Sequence, residues 1–113
     1  MAELESDREL LTEYAEHGSE SAFQALVERH LDVVFATALR GLSDTGAAQE
    51  ITQNVFITLA HKARWLQSQT SLVGWLHKTA LFEVRCWWRV ESVARLAGRN
   101  SIALFIRVAG LNR

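Results

Sequence analysis

SESAFQALVERHLDVVFATALRGLSD, residues 19–44, decides the fold. Phe23, Leu26, Val27, His30, Leu31, Val34 and Ala38 recur at three- and four-residue steps, which puts them on one side of a helix. The helix starts near Ser19, and Gly41-Leu42-Ser43-Asp44 marks its end, with Asp44 or Thr45 capping the next one. Upstream, Ser6-Asp7-Arg8-Glu9 is a capping box: Ser6 covers the Glu9 amide while Glu9 reaches back to Ser6. The helix it opens passes through Leu10, Leu11 and Tyr14 to His17 and stops at Gly18, which tolerates the left-handed backbone of a C-terminal cap.

Downstream, Ala48, Ile51, Thr52, Val55, Leu59 and Ala63 form the inner face of a third helix. Residues Arg64 to Ser71 are rich in Gln, Ser and Thr and have no period, so they are read as the one substantial loop. A fourth helix begins at Ser71 or Leu72 and continues to Leu96, before Gly98, with Leu76, Ala80, Val84, Trp87 and Ala94 facing inward. No strand-like alternation persists and there is no internal repeat. The expected fold is all-α, a single compact bundle of about four helices over residues 1–100. Residues 101–113 form an apolar tail, either a short helix on the core or an orphaned segment. The absence of proline favours such uninterrupted helices.

Composition narrows the setting. The acidic opening Met1-Ala2-Glu3-Leu4-Glu5 is unlike a secretory leader, and no apolar run approaches the ~18 residues needed to cross a bilayer. Cys86 is the only cysteine, so disulfides are excluded and a reducing, cytoplasmic location is expected, with no membrane partner. The net charge of −1 conceals a split. Residues 1–56 carry 11 acidic and 3 basic side chains, whereas residues 57–113 carry 2 acidic and 9 basic ones. Two partners of opposite character fit that division, the basic half facing a polyanion.

On the fourth helix Lys78, Phe82, Arg85 and Arg89 share a face opposite the apolar stripe, and Arg95 and Arg99 extend it. Cations in a row can neutralise successive phosphates, and an interspersed aromatic can stack on unpaired bases. Glu83 and Glu91 lie off that stripe. Of the four tryptophans, Trp75 and Trp87 read as core. Trp65, placed in the loop, either meets a ligand or folds back, and Trp88 is open to both readings. The outward positions of the third helix are Glu50, Gln53, Asn54, Ile57 and His61, a stripe on which a partner helix can dock.

No catalytic constellation emerges. His17, His30, His61 and His77 lie on different segments, and His30 reads as a satisfied core histidine. Cys86 has no companion at metal-ligand spacing, and there is no phosphate loop or nucleophile elbow. Neither an enzyme nor a cofactor or metal is expected.

Four segments stand out in order and spacing: Asp7-Arg8-Glu9-Leu10-Leu11, Ser21 to His30, Ala48-Gln49-Glu50-Ile51-Thr52-Gln53-Asn54-Val55-Phe56, and Gly74-Trp75-Leu76-His77-Lys78-Thr79-Ala80. Together they resemble the sigma-70 family of bacterial transcription initiation factors, in particular region 2 of its extracytoplasmic function group. The resemblance spans about residues 6–100. It implies that the third helix grips the clamp helices of the largest subunit of core RNA polymerase, with Glu50 and Gln53 at the two key positions. The acid there is more commonly aspartate. It also implies that the loop at about Arg64 to Ser71 captures a base flipped from the non-template strand of the promoter −10 element, while the fourth helix tracks the DNA. An anti-sigma factor is a further implied partner. Two features depart from the family. Leu81-Phe82 stands where the family often has Arg-Asn, so base-specific contacts there do not carry over. A complete member also continues through a polar linker into a helix-turn-helix domain reading the −35 element; Ser101 to Arg113 does not resemble that linker, and the expectation is region 2 without region 4. A helical protein–protein module that titrates polymerase or an inhibitor without reading DNA is the competing reading. A small duplex-DNA regulator is a third.

Overall fold

The computed structural model describes residues 5–68 and 71–97, with side chains described as far as residue 93. Among these residues four helices follow one another: α1 (Asp7–His17), α2 (Glu20–Leu42), α3 (Thr45–Leu66) and α4 (Leu72–Ala97). No strand occurs among the described residues, and the fold is the expected all-α bundle.

Local chemistry sets the helix ends. The Glu9 amide donates to Ser6 Oγ at 3.1 Å and the Ser6 amide to Glu9 Oε1 at 2.8 Å, completing the capping box. Gly18 closes α1 at φ 67°, and Ser43 closes α2 in the same left-handed region at φ 56°. Asp44 Oδ1 accepts from the Ala47 amide at 2.9 Å and opens α3. Ser71 Oγ accepts from the Gly74 amide at 3.0 Å in the first turn of α4.

The core lies between α2 and α3, where Leu26, Val34, Val55 and Leu59 are the largest side chains wholly removed from water. Leu10 and Leu11 seal it from α1, and Leu72, Leu76, Ala80 and Val84 from α4. Buried Thr37 and Thr52 satisfy their hydroxyls on the carbonyls of Val33 and Ala48, one turn back. His30 is buried and meets Asp7 Oδ2 at 2.9 Å; the carboxylate only accepts, so the His30 Nε2–H donates. Arg29 reaches the other Asp7 oxygen at 2.9 Å, fastening the start of α1 to α2.

Three expectations need correction. Periodicity puts Leu31 on the inner face of α2, but it is 41% exposed, beyond the edge of a stripe already filled by Leu26, His30 and Val34. The aperiodic stretch from Arg64 puts Leu66 in the loop, but it is buried and extends α3 by most of a turn. The connection therefore begins at Gln67, and Trp65 sits on the last turn of α3 rather than in a loop. The tail 101–113, the side chains of Ala94 and Arg95, and Arg99 lie outside the described residues.

Candidate functional site

Because Leu76, Ala80 and Val84 commit one side of α4 to the core, helical spacing turns Lys78, Phe82, Arg85 and Arg89 outward, and all four are exposed. Phe82 is 52% exposed, a large aromatic surface set between cations. Lys78 and Arg85 take part in no ion pair among the described residues. Glu83 points elsewhere. It is half-buried; burial raises its carboxyl above the ordinary glutamate range, and a hydrogen bond from Asn54 pulls it back in part.

That bond corrects one sequence expectation. Asn54 was counted among the outward residues of α3, but it is half-buried and its side chain is engaged with Glu83 of α4. The position lies on the flank of α3, between the buried Ile51–Val55 face and solvent. Glu50, Gln53, Ile57 and His61 do face out, with Ile57 54% exposed. Beside them a shallow groove between α2 and α3 is lined by Leu31, Asp32, Phe35, Gln49, Thr52 and Gln53, so the α3 stripe continues onto α2.

Trp65 is 56% exposed. Arg64 is exposed too, and its Nη2 lies 3.4 Å from the Ala15 carbonyl at the end of α1. Next along the chain, Gln67 Nε2 donates to Glu16 Oε2 at 2.8 Å. A cavity of about 300 Å³ opens between α1 and the two ends of the α3–α4 connection. Ser6, Asp7, Arg8 and Leu11 form one wall; Leu66, Gln67 and Ser71 to Val73 form the other. Trp75 and Trp87 are partly buried against the core as expected, whereas Trp88 is 42% exposed and donates its indole N–H to the Gly41 carbonyl at 3.0 Å.

Sequence reasoning missed the Gln67–Glu16, Asn54–Glu83 and Trp88–Gly41 contacts. Each joins residues far apart in the chain, and no periodicity reports such pairs. Among the described residues no group of three or more His, Cys, Asp or Glu is placed to hold a metal ion. Among the described residues, likewise, no helix is long and apolar enough to cross a membrane.

A helical bundle with a cation-and-aromatic face on one helix and a separate polar face on another has the makings of a module that binds a polyanion and a protein. Residues 26–93 match the model of the Sigma-70 region 2 family, and the chain belongs to that family. The family is a non-enzymatic one that acts in transcription initiation, through core RNA polymerase and promoter DNA. No curated protein and no solved structure gives a significant match.

Proposed function

We propose that this chain is a region 2 domain of the extracytoplasmic function group, docking on the clamp helices of core RNA polymerase and holding the unpaired non-template strand of the promoter −10 element. Glu50, Gln53 and Ile57 are the polymerase contacts, with Asn54 supporting them from the α3–α4 seam. Lys78, Arg85 and Arg89 neutralise phosphates along α4, Phe82 stacks on a base, and Arg64 and Trp65 meet the strand where α3 ends. The cavity beside the α3–α4 connection is the place for a flipped base. Unstacking a base costs a few kcal/mol, which stacking, pocket contacts and phosphate neutralisation must offset. An anti-sigma factor would act by covering the α3 face, and the setting is cytoplasmic.

The observation that carries the reading is the separation of two exposed surfaces on consecutive helices. Lys78, Phe82, Arg85 and Arg89 lie on α4; Glu50, Gln53 and Ile57 lie on α3. The test is a pair of variants. Lys78→Glu/Arg85→Glu is expected to lose affinity for an unpaired promoter strand while still binding core polymerase, and Gln53→Ala/Ile57→Ala the reverse. A purified chain that binds neither core polymerase nor an unpaired strand in a salt-sensitive way would sink the proposal. If the α4 reversal leaves every interaction intact, the chain is a protein-binding module alone.

A further inference from the structure

The family match begins at residue 26, after the whole of α1, yet α1 borders both ends of the α3–α4 connection. At its C-terminal end Glu16 accepts from Gln67 at 2.8 Å, and the Ala15 carbonyl faces Arg64 at 3.4 Å. At its N-terminal end Ser6 and Arg8 share a cavity with Ser71 and Val73. α1 is itself anchored independently of that region, through Asp7 to Arg29 and His30 of α2 and through buried Leu10 and Leu11. It is therefore a fixed reference against which the chain leaving α3 can be held.

We propose that α1 is a positioning element for the unpaired-strand site: the Glu16–Gln67 contact, backed by Arg64 at the Ala15 carbonyl, fixes how the chain leaves α3 beside the cavity. This rests on the proposed function for its DNA half and on geometry alone for its mechanical half. The Gln67 amide bonds the Ala63 carbonyl at 3.1 Å and the Ser68 amide the Trp65 carbonyl at 3.3 Å. These two amides report directly on whether the last turn of α3 holds. Freeing Gln67 lets that turn fray, and Arg64 and Trp65 on it lose their fixed direction. The carboxylate acts through Gln67 and touches no nucleic acid itself, so the dependence should be on an acceptor at position 16 rather than on charge.

The experiment uses the whole chain with Glu16→Ala, Gln67→Ala, the double variant and Glu16→Gln, which keeps an acceptor oxygen. Amide hydrogen exchange at Gln67 and Ser68 is expected to quicken roughly threefold or more in Glu16→Ala and in Gln67→Ala. The double variant should be no faster than either, and Glu16→Gln should stay near wild type. Affinity for a labelled pool of single-stranded oligonucleotides should weaken by a similar factor. Affinity for the matching duplexes and the unfolding midpoint should hold. Unchanged exchange in Glu16→Ala, or additive effects in the double variant, overturns the proposal. So does faster exchange with undiminished single-strand affinity, provided Lys78→Glu/Arg85→Glu weakens that affinity in the same assay. A wild-type chain that binds no single strand refutes the proposed function instead, and the exchange data then still decide whether α1 holds the end of α3.

Discussion

α3 and α4 are helices of similar length that enter the core on different terms. α3 buries Ala48, Ile51, Thr52, Val55, Phe56, Leu59, Ala63 and Leu66, a stripe two residues wide at Ile51–Thr52 and at Val55–Phe56. Among its described side chains α4 buries Leu72, Leu76, Ala80 and Val84, a seam at four-residue steps flanked by the partly buried Trp75 and Trp87, and leaves Val73, Leu81, Phe82 and Trp88 in contact with water. A seam of that kind anchors a helix and leaves its outer side free. The stability of the bundle therefore resides chiefly between α2 and α3, and α4 has surface to spare for a ligand. Leu81 and Phe82 look like defects if α4 is judged as a core helix. They make sense on a helix whose outer side is used.

The largest expected effect tests the core side of that contrast. Leu59→Ala removes a wholly buried side chain and should cost about 3 kcal/mol of unfolding free energy, lowering the melting temperature by roughly 10 °C. Phe82→Ala on α4 should stay within about 0.5 kcal/mol of wild type. Denaturant unfolding of the two variants side by side checks this; similar losses would erase the distinction between the helices.

Next in size is Lys78→Glu/Arg85→Glu, which tests the outer side. Both positions are exposed, so the unfolding midpoint should barely move. Binding to single-stranded DNA should weaken at least tenfold, about 1.4 kcal/mol or more. With two phosphate contacts gone, the plot of log affinity against log salt should be shallower by roughly 1.4. A change in affinity without a change in slope would mean that these cations do not meet phosphates.

A smaller effect probes the point where α4 crosses the end of α2. A Cβ on Gly41 would lie 2.8 Å from Val84 Cγ1, and valine methyls have little room to retreat. Overpacking of this kind costs about 1–3 kcal/mol, against which alanine returns about 1 kcal/mol of helix propensity. Gly41→Ala should therefore destabilise by about 1 kcal/mol net. It should also disturb the Trp88–Gly41 hydrogen bond, visible as a shift in tryptophan emission. A stabilised variant would show that the two helices approach less closely than this geometry requires.

How legible all this was depends on the range of the interaction. Ser6 with Glu9, Gly18, Asp44 and Ser71 act on their own turns, so helix ends could be read from residues a few positions apart. The outward turn of Lys78, Phe82, Arg85 and Arg89 followed equally from period alone. Leu31 and Leu66 were misplaced because both are apolar residues at a margin. Whether a marginal leucine is covered depends on how neighbouring helices cross, which periodicity does not encode. Asn54 was misplaced for the same reason: one flank of α3 faces α4, and the sequence of α3 does not say which. The α1 contacts to Arg64 and Gln67 were out of reach, because they join segments roughly 50 residues apart through side chains ordinary at any surface.

The smallest effect lies on that α3–α4 flank. Burial raises the Glu83 carboxyl above its usual range, more than the Asn54 hydrogen bond restores. The folded chain thus holds the Glu83 proton to higher pH than the unfolded chain does. Between the two pKa values the native state binds more protons, so unfolding free energy falls as pH rises through that window and levels off above the folded pKa. Glu83→Gln keeps an oxygen to accept from Asn54 and removes the charge whose desolvation opposes folding. It should remove this downward slope and leave the variant slightly more stable than wild type at neutral pH. Because Glu83 is only half-buried, solvent screening limits the gain. Denaturant midpoints across the acid-to-neutral range decide it. If Glu83→Gln were less stable than wild type at neutral pH, the ionised carboxylate would be a net asset to the α3–α4 seam. The α4 side of the bundle would then be held partly by charge, not by its apolar contacts alone.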